Sequence, residues 1–224
     1  MSTLSEPIGN NTAKLHQYFT GMKYYLNASN EANRRLDKVL ASSFSVFDYV
    51  SDKEIMLSRV LSDLLNPRGS HGQGDLFLKK FLTVIKVQSQ NLYNDPIVTL
   101  ERHTKYLQNF KRRIDIHLDW GSFGIGIENK PWANEQDNQL KDYNEQLQKE
   151  FGNNYVLVYL CAADSTLSSI SNWDELTRKG NAATLHFYPD FYEWLLRCRE
   201  KCEAEKVRYF LKDFADFVEQ HFKI

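Results

Sequence analysis

Apolar residues recur at helical spacing as far as residue 87 and then, near residue 97, change to the two-residue alternation of strands. Between residues 15 and 50 the helical positions include Leu36, Val39, Leu40, Phe44 and Phe47, and a weak break at 21–30 predicts two helices. The first dozen residues, with Pro7, Gly9 and Asn10-Asn11, carry little pattern and are expected to fray. Ser51-Asp-Lys-Glu54 reads as a capping box, in which the glutamate reaches back to the serine backbone N–H. It opens a helix with an apolar stripe of Ile55, Leu57, Val60, Leu61, Leu64 and Leu65, and Asn66-Pro67 ends it. The turn Gly69-Ser-His-Gly-Gln-Gly74 leads into a third helix, marked by Leu76, Phe77, Phe81, Leu82 and Ile85.

Residues 97–107 predict a strand and 113–120 alternate apolar with polar. Gly121-Ser122 turns the chain into a further alternating run at 123–129, so a β-meander is expected. Asn134 is placed to cap a helix carrying Leu140, Tyr143, Leu147 and Phe151, and Gly152 stands where a helix commonly ends in a left-handed residue. Residues 156–160 are apolar on both faces, as in an interior strand covered by helices on both sides. A serine-rich loop follows at 164–171. Asp190-Phe-Tyr-Glu193 repeats the capping-box pattern ahead of Trp194, Leu195 and Cys198, and after a break the spacing resumes at Phe210, Leu211, Phe214 and Phe217.

With 224 residues and 42% hydrophobic content the chain can bury one full core. The expected layout is a single α/β domain over 1–224, with a helical addition at 1–50, a core at 51–163 and closing helices at 188–224. Net charge is −1, so no basic tail announces nucleic acid, although a local basic groove can hide in a neutral total. Lys111-Arg112-Arg113, near Lys105, is the best such cluster, and Trp132 and Tyr106 could stack on bases. The plain reading of that cluster is a solvated strand end. Three cysteines without a CxxC pair, and no apolar run near the roughly 20 residues of a spanning helix, fit a reduced cytoplasmic protein.

The chemistry is carried by the strands. Alternation puts Asp115 on a face with His117 and Asp119, while Ile114, Ile116 and Leu118 point into apolar packing. Glu128 and Lys130 share the face opposite Ile125 and Ile127. If the two strands pair through the Gly121-Ser122 turn, two carboxylates and an amine meet at one edge of the sheet. Two hard oxygen ligands can hold Mg²⁺, which neutralises charge on phosphoryl oxygens and lowers the pKa of water. A lysine beside them can position that water, or deprotonate it if positive neighbours lower its own pKa.

Asp115, twelve residues, then Glu128-Asn-Lys130 resembles the signature of the PD-(D/E)xK nuclease superfamily. Gln139-Leu-Lys-Asp-Tyr143 is similar to the Q-x-x-x-Y helix of its RecB-like members. Phe44-Ser-Val-Phe47, Leu64-Leu-Asn-Pro67, His71-Gly-Gln-Gly74 and Arg113-Ile-Asp-Ile116 further resemble a poorly characterised bacterial branch. The likeness spans roughly residues 44 to 200; it departs at Ile114, where the family often has proline. It implies a restriction-endonuclease-like α-β-β-β-α-β core, a central mixed sheet flanked by helices. It also implies Mg²⁺- or Mn²⁺-dependent cleavage of nucleic acid, DNA before RNA, with roles ranging from phage defence to repair. Asp115 and Glu128 would be metal ligands, the Asn129 carbonyl a third and Glu54 a fourth. Lys130 would activate water, and Gln139 and Tyr143 would touch the scissile strand or orient Lys130.

Each assignment has a plain structural counterpart. The triad could be a cross-strand ion pair on a solvated face, stabilising by about 0–1 kcal/mol. Glu54 could serve only its capping box, Glu101 is an ordinary strand glutamate, Gln139 and Tyr143 could be helix–sheet packing, and His71 fits a turn. A non-catalytic nucleic-acid-binding or assembly protein that keeps the fold is the competing function, with a hydrolase of other phosphate esters third. A homo-oligomer is compatible with either.

Overall fold

The computed structural model describes residues 8–40, 53–88, 92–105, 112–132 and 136–223. The chain divides into two compact units, 1–45 and 46–224. Among its described residues the first holds one helix, α1 (Ile8–Leu40), unbroken across the expected interruption at 21–30. Gly21 costs such a helix only about 1 kcal/mol in propensity, too little to break it. Phe44, Phe47, Ser51 and Asn134 lie outside the described residues.

The second unit runs α2 (Lys53–Leu65), α3 (Leu76–Val84), β1 (Ile97–His103), β2 (Arg113–Asp119), β3 (Gly124–Lys130), α4 (Gln139–Phe151), β4 (Tyr155–Cys161), α5 (Trp173–Lys179), β5 (Ala182–His186), α6 (Tyr192–Lys201) and α7 (Glu205–Phe222). The strands form one sheet in the order β1-β2-β3-β4-β5. The first three pair antiparallel, as the meander requires, and β4 and β5 join in parallel, so the sheet is mixed.

Two apolar layers cover the sheet. Ile116, Leu118, Ile125, Ile127, Val156 and Val158 pack with α2, α3, α6 and α7, whereas Leu157 and Tyr159 pack with α4 and α5. Both faces of β4 are buried, as its sequence indicates. Ile114 does not follow Ile116: it joins the α4 layer. The β2–β3 ladder stops at Ile116↔Ile127, so the alternation that sequence projects onto residues 113–115 no longer holds there.

Three other expectations change. The first strand ends at His103 rather than 107. Asp190 does not cap α6; its Oδ2 accepts from the N–H of His186, closing a kinked turn at Phe187–Phe191 in which Tyr188 is extended. Helix α5 and strand β5 carry no sequence signal of comparable strength, being seven and five residues long.

Glycine sets how closely α4 approaches. A Cβ at Gly124 would fall 2.1 Å from the Phe151 ring, and one at Gly126 would fall 3.0 Å from Leu147. These bare positions let α4 lie against β3 at contact distance, which brings its N-terminal turn over the strand's far end.

Candidate active site

Where β2 and β3 part, a side chain replaces the ladder: Asp115 Oδ2 accepts from the backbone N–H of Asn129 at 2.8 Å. On the neighbouring strand Glu101 has φ 48°, and the β1–β2 register passes over Glu101 and Asp115. A non-glycine residue in that region costs about 1–3 kcal/mol. The strain adjoins the aspartate. The Glu101 carboxylate turns to Arg113, at 3.3 Å.

Glu128 is fully buried. Its Oε1 accepts from Gln139 Nε2 at 2.6 Å and pairs with Lys130 Nζ at 3.0 Å, while its Oε2 is buried with no hydrogen-bond partner. Lys130 Nζ also donates to Glu54 Oε1 at 2.8 Å. The structure therefore gathers Asp115, Glu128, Lys130, Glu54, Gln139 and Tyr143 at one point. Tyr143 accepts from Gln139 at 3.1 Å and donates to the carbonyl of Arg113. Glutamine and tyrosine, one turn apart on α4, thus bridge Glu128 to the end of β2.

The solvated-face expectation for the triad fails here. Burial raises the Glu128 carboxyl from 4.5 to about 8, the Asp115 charge adding to it and Lys130 opposing. Burial likewise raises Asp115 to about 6, against the Asn129 N–H and Lys130. Lys130 is held charged above its ordinary range: burial disfavours the cation, but Glu128 and Glu54 outweigh it. Among the described residues, the charges that act on this lysine are those of Glu128 and Glu54, not the positive neighbours that would turn it into a base.

Asn129 faces the other way. Its carboxamide donates to Ser58 Oγ at 2.9 Å and to the Glu54 carbonyl at 3.4 Å, pinning α2 to β3. Ser58, one turn after Glu54 on the same helix face, is the residue the sequence reading missed; its i,i+4 spacing from Glu54 was the available signal. Tyr143 is likewise held protonated, by burial first and by Glu128 second.

Does a divalent ion fit? A buried carboxylate oxygen without a donor, beside a second carboxyl within hydrogen-bonding reach, is an arrangement that a hard cation satisfies. The donor set is small, however. Among the described residues no group of three or more His, Cys, Asp or Glu side chains is arranged to hold a metal. Lys130 explains this, because its ammonium lies between Glu54 and Glu128 and occupies the third carboxylate.

Elsewhere the expected residues separate. Lys111 is outside the described residues. Arg112 spends its guanidinium on α4 and its approach, through Asp142 at 2.8 Å, Gln136 at 3.0 Å and the Asp137 carbonyl. Arg113 is half exposed. His71 is a turn residue: its Nδ1 accepts from the Gln73 N–H, which leaves Nε2 to donate to the Asn66 carbonyl. At the other end of the sheet Arg102 joins His117, Asp119 and Glu150, away from the triad. Cys198 and Cys202 are buried packing residues. Among the described residues no helix is long and apolar enough to cross a membrane.

A profile described as the PD-(D/E)XK nuclease superfamily matches residues 43–216. No curated protein and no solved structure matches the chain.

Proposed function

Because the chain belongs to the PD-(D/E)XK nuclease superfamily, we propose that it hydrolyses phosphodiester bonds, in DNA, with Mg²⁺ or Mn²⁺ held by Asp115 and Glu128. The observation that carries this reading is the partnerless Oε2 of a fully buried Glu128 beside the Asp115 carboxyl, with a lysine ammonium against the same glutamate. That oxygen faces the Asp115 carboxyl, and two buried carboxyls this close must share a proton unless a cation sits between them.

A bound divalent ion would supply charge neutralisation at the phosphoryl oxygens and a lower pKa for water. The protein's own residues do the rest. Gln139 fixes the Glu128 carboxylate through Oε1, leaving Oε2 free to face the ion. The Asn129 N–H fixes Asp115 in the same way, and the Asn129 carbonyl is a proposed further ligand. Lys130 stays protonated, so its role is to hold and orient a water or a phosphoryl oxygen rather than to remove a proton. Glu54, which holds that ammonium, would be a further carboxylate ligand for the ion. The Gln139–Tyr143 pair supports a place among the RecB-like members, and of the basic cluster Arg113, half exposed and paired with Glu101, would meet a phosphate.

The test is incubation of the purified protein with plasmid, linear duplex, single-stranded DNA and RNA, with and without Mg²⁺ or Mn²⁺. Metal-dependent cleavage of DNA is expected, reduced by a factor of about 10²–10³ in Lys130→Ala. Cleavage that Lys130→Ala leaves unchanged would exclude the assigned site. Metal-dependent nucleic-acid binding without products would favour the non-catalytic alternative.

A further inference from the structure

Helix α1 carries most of the large apolar side chains that the described residues expose. Leu15, Tyr18, Phe19, Met22, Tyr25 and Leu26 are 42–74% exposed. Their order is regular. Starting at Leu15, the steps to Tyr18, Met22, Tyr25, Ser29, Ala32, Leu36 and Val39 alternate three and four residues. That is the 3.5-residue period of the a and d positions in a left-handed coiled coil, and Phe19 and Leu26 widen the seam at e.

We infer that α1 pairs with α1 of a second copy of this chain in a two-stranded coiled coil. Four observations identify the occupant. A seam of this period keeps facing its partner only along another helix that supercoils with it; a straight helix against a sheet or a globular surface has no need of it. The helix is 33 residues long, on the order of 50 Å at 1.5 Å per residue, and a helix this exposed draws its stability from packing.

The area fits as well. At about 200 Å² for a side chain of this size, the six residues expose roughly 700 Å² per helix, close to the roughly 800 Å² that each partner gives a standard interface. Finally, no charged residue falls at a, d or e between 15 and 40. Lys14, Lys23, Glu31, Arg34, Arg35, Asp37 and Lys38 all lie outside the seam, so two identical copies bring no buried charges together.

The inference is independent of the nuclease reading, since it is read on protein alone. Light scattering after size exclusion, on the full chain at several concentrations, should report a dimer. Met22→Lys with Tyr25→Lys should weaken it by at least about 100-fold, because each lysine would be an unpaired charge in the seam. Lys23→Gln with Asn27→Gln, on the outer face, should leave it intact. Should the lysine variant aggregate, Met22→Ala with Leu26→Ala gives a milder reading as a raised dissociation constant. A monomeric wild-type chain, or a dimer insensitive to both seam variants, would overturn the inference; so would equal loss in the outer-face control.

Discussion

Glu128→Gln isolates what burying this carboxyl costs the metal-free protein. The unfolded chain titrates Glu128 near 4.5, the folded chain near 8. The folded value is raised, so the favourable contribution of the protonated carboxyl is complete below pH 4.5 and is lost as pH climbs to 8. At pH 7 the gap from 4.5 is 2.5 pH units, which at 1.36 kcal/mol each is about 3 kcal/mol against the folded state. Glutamine cannot ionise, still accepts from Gln139, and offers an N–H toward Asp115. The substitution should therefore stabilise the apo protein by about 3 kcal/mol at pH 7, or about 6–12 °C in Tm for a chain of this size. Thermal melts by circular dichroism in EDTA at pH 5, 7 and 8.5 read this directly: the difference should be small at pH 5 and grow with pH. Saturating Mn²⁺ should then raise the wild type alone, by about 2.7 kcal/mol at a hundred times its Kd. A variant less stable than wild type at pH 8.5, or a difference independent of pH, would refute the reasoning.

Other consequences can be checked alongside. Tyr143→Phe leaves the Arg113 carbonyl and Gln139 without their hydroxyl, so a loss of about 1–3 kcal/mol in denaturant unfolding is expected. Gly124→Ala should cost about 1–3 kcal/mol by driving a Cβ into the Phe151 ring, and Phe151→Leu in the same chain should restore part of it; equal stability of the single variant would contradict the close α4–β3 approach. Burial first, and the Arg102 charge beside it second, depress His117 from 6.5 to about 3. Its contribution is full above pH 6.5 and lost as pH falls toward 3, so His117→Phe should flatten the acid side of the stability profile, measured by urea unfolding at pH 4 to 7.

The residues of the site were legible because their geometry is local. Strand parity brings Glu128 and Lys130 to one face, and four-residue spacing aligns Gln139 with Tyr143, so both pairs survive into the structure. Their burial was not legible. Alternation says only which face Glu128 takes, and it is α4, admitted by Gly124 and Gly126, that seals that face from water. The flip of Ile114 had the same kind of cause, since the end of the β2–β3 ladder is set by tertiary pairing. Arg112 looked like a phosphate contact because its partners Asp142, Gln136 and Asp137 lie at least 24 residues away in sequence. Strand β5 escaped because five residues with two alanines bear too little apolar periodicity to rise above a loop.

Manganese binding tests the central claim most directly. Titration followed by electron paramagnetic resonance should show the wild type removing Mn²⁺ from its free pool, while Asp115→Asn and Glu128→Gln, folded by circular dichroism, leave the free signal unchanged. Binding retained by both variants would place the ion elsewhere and contradict the account.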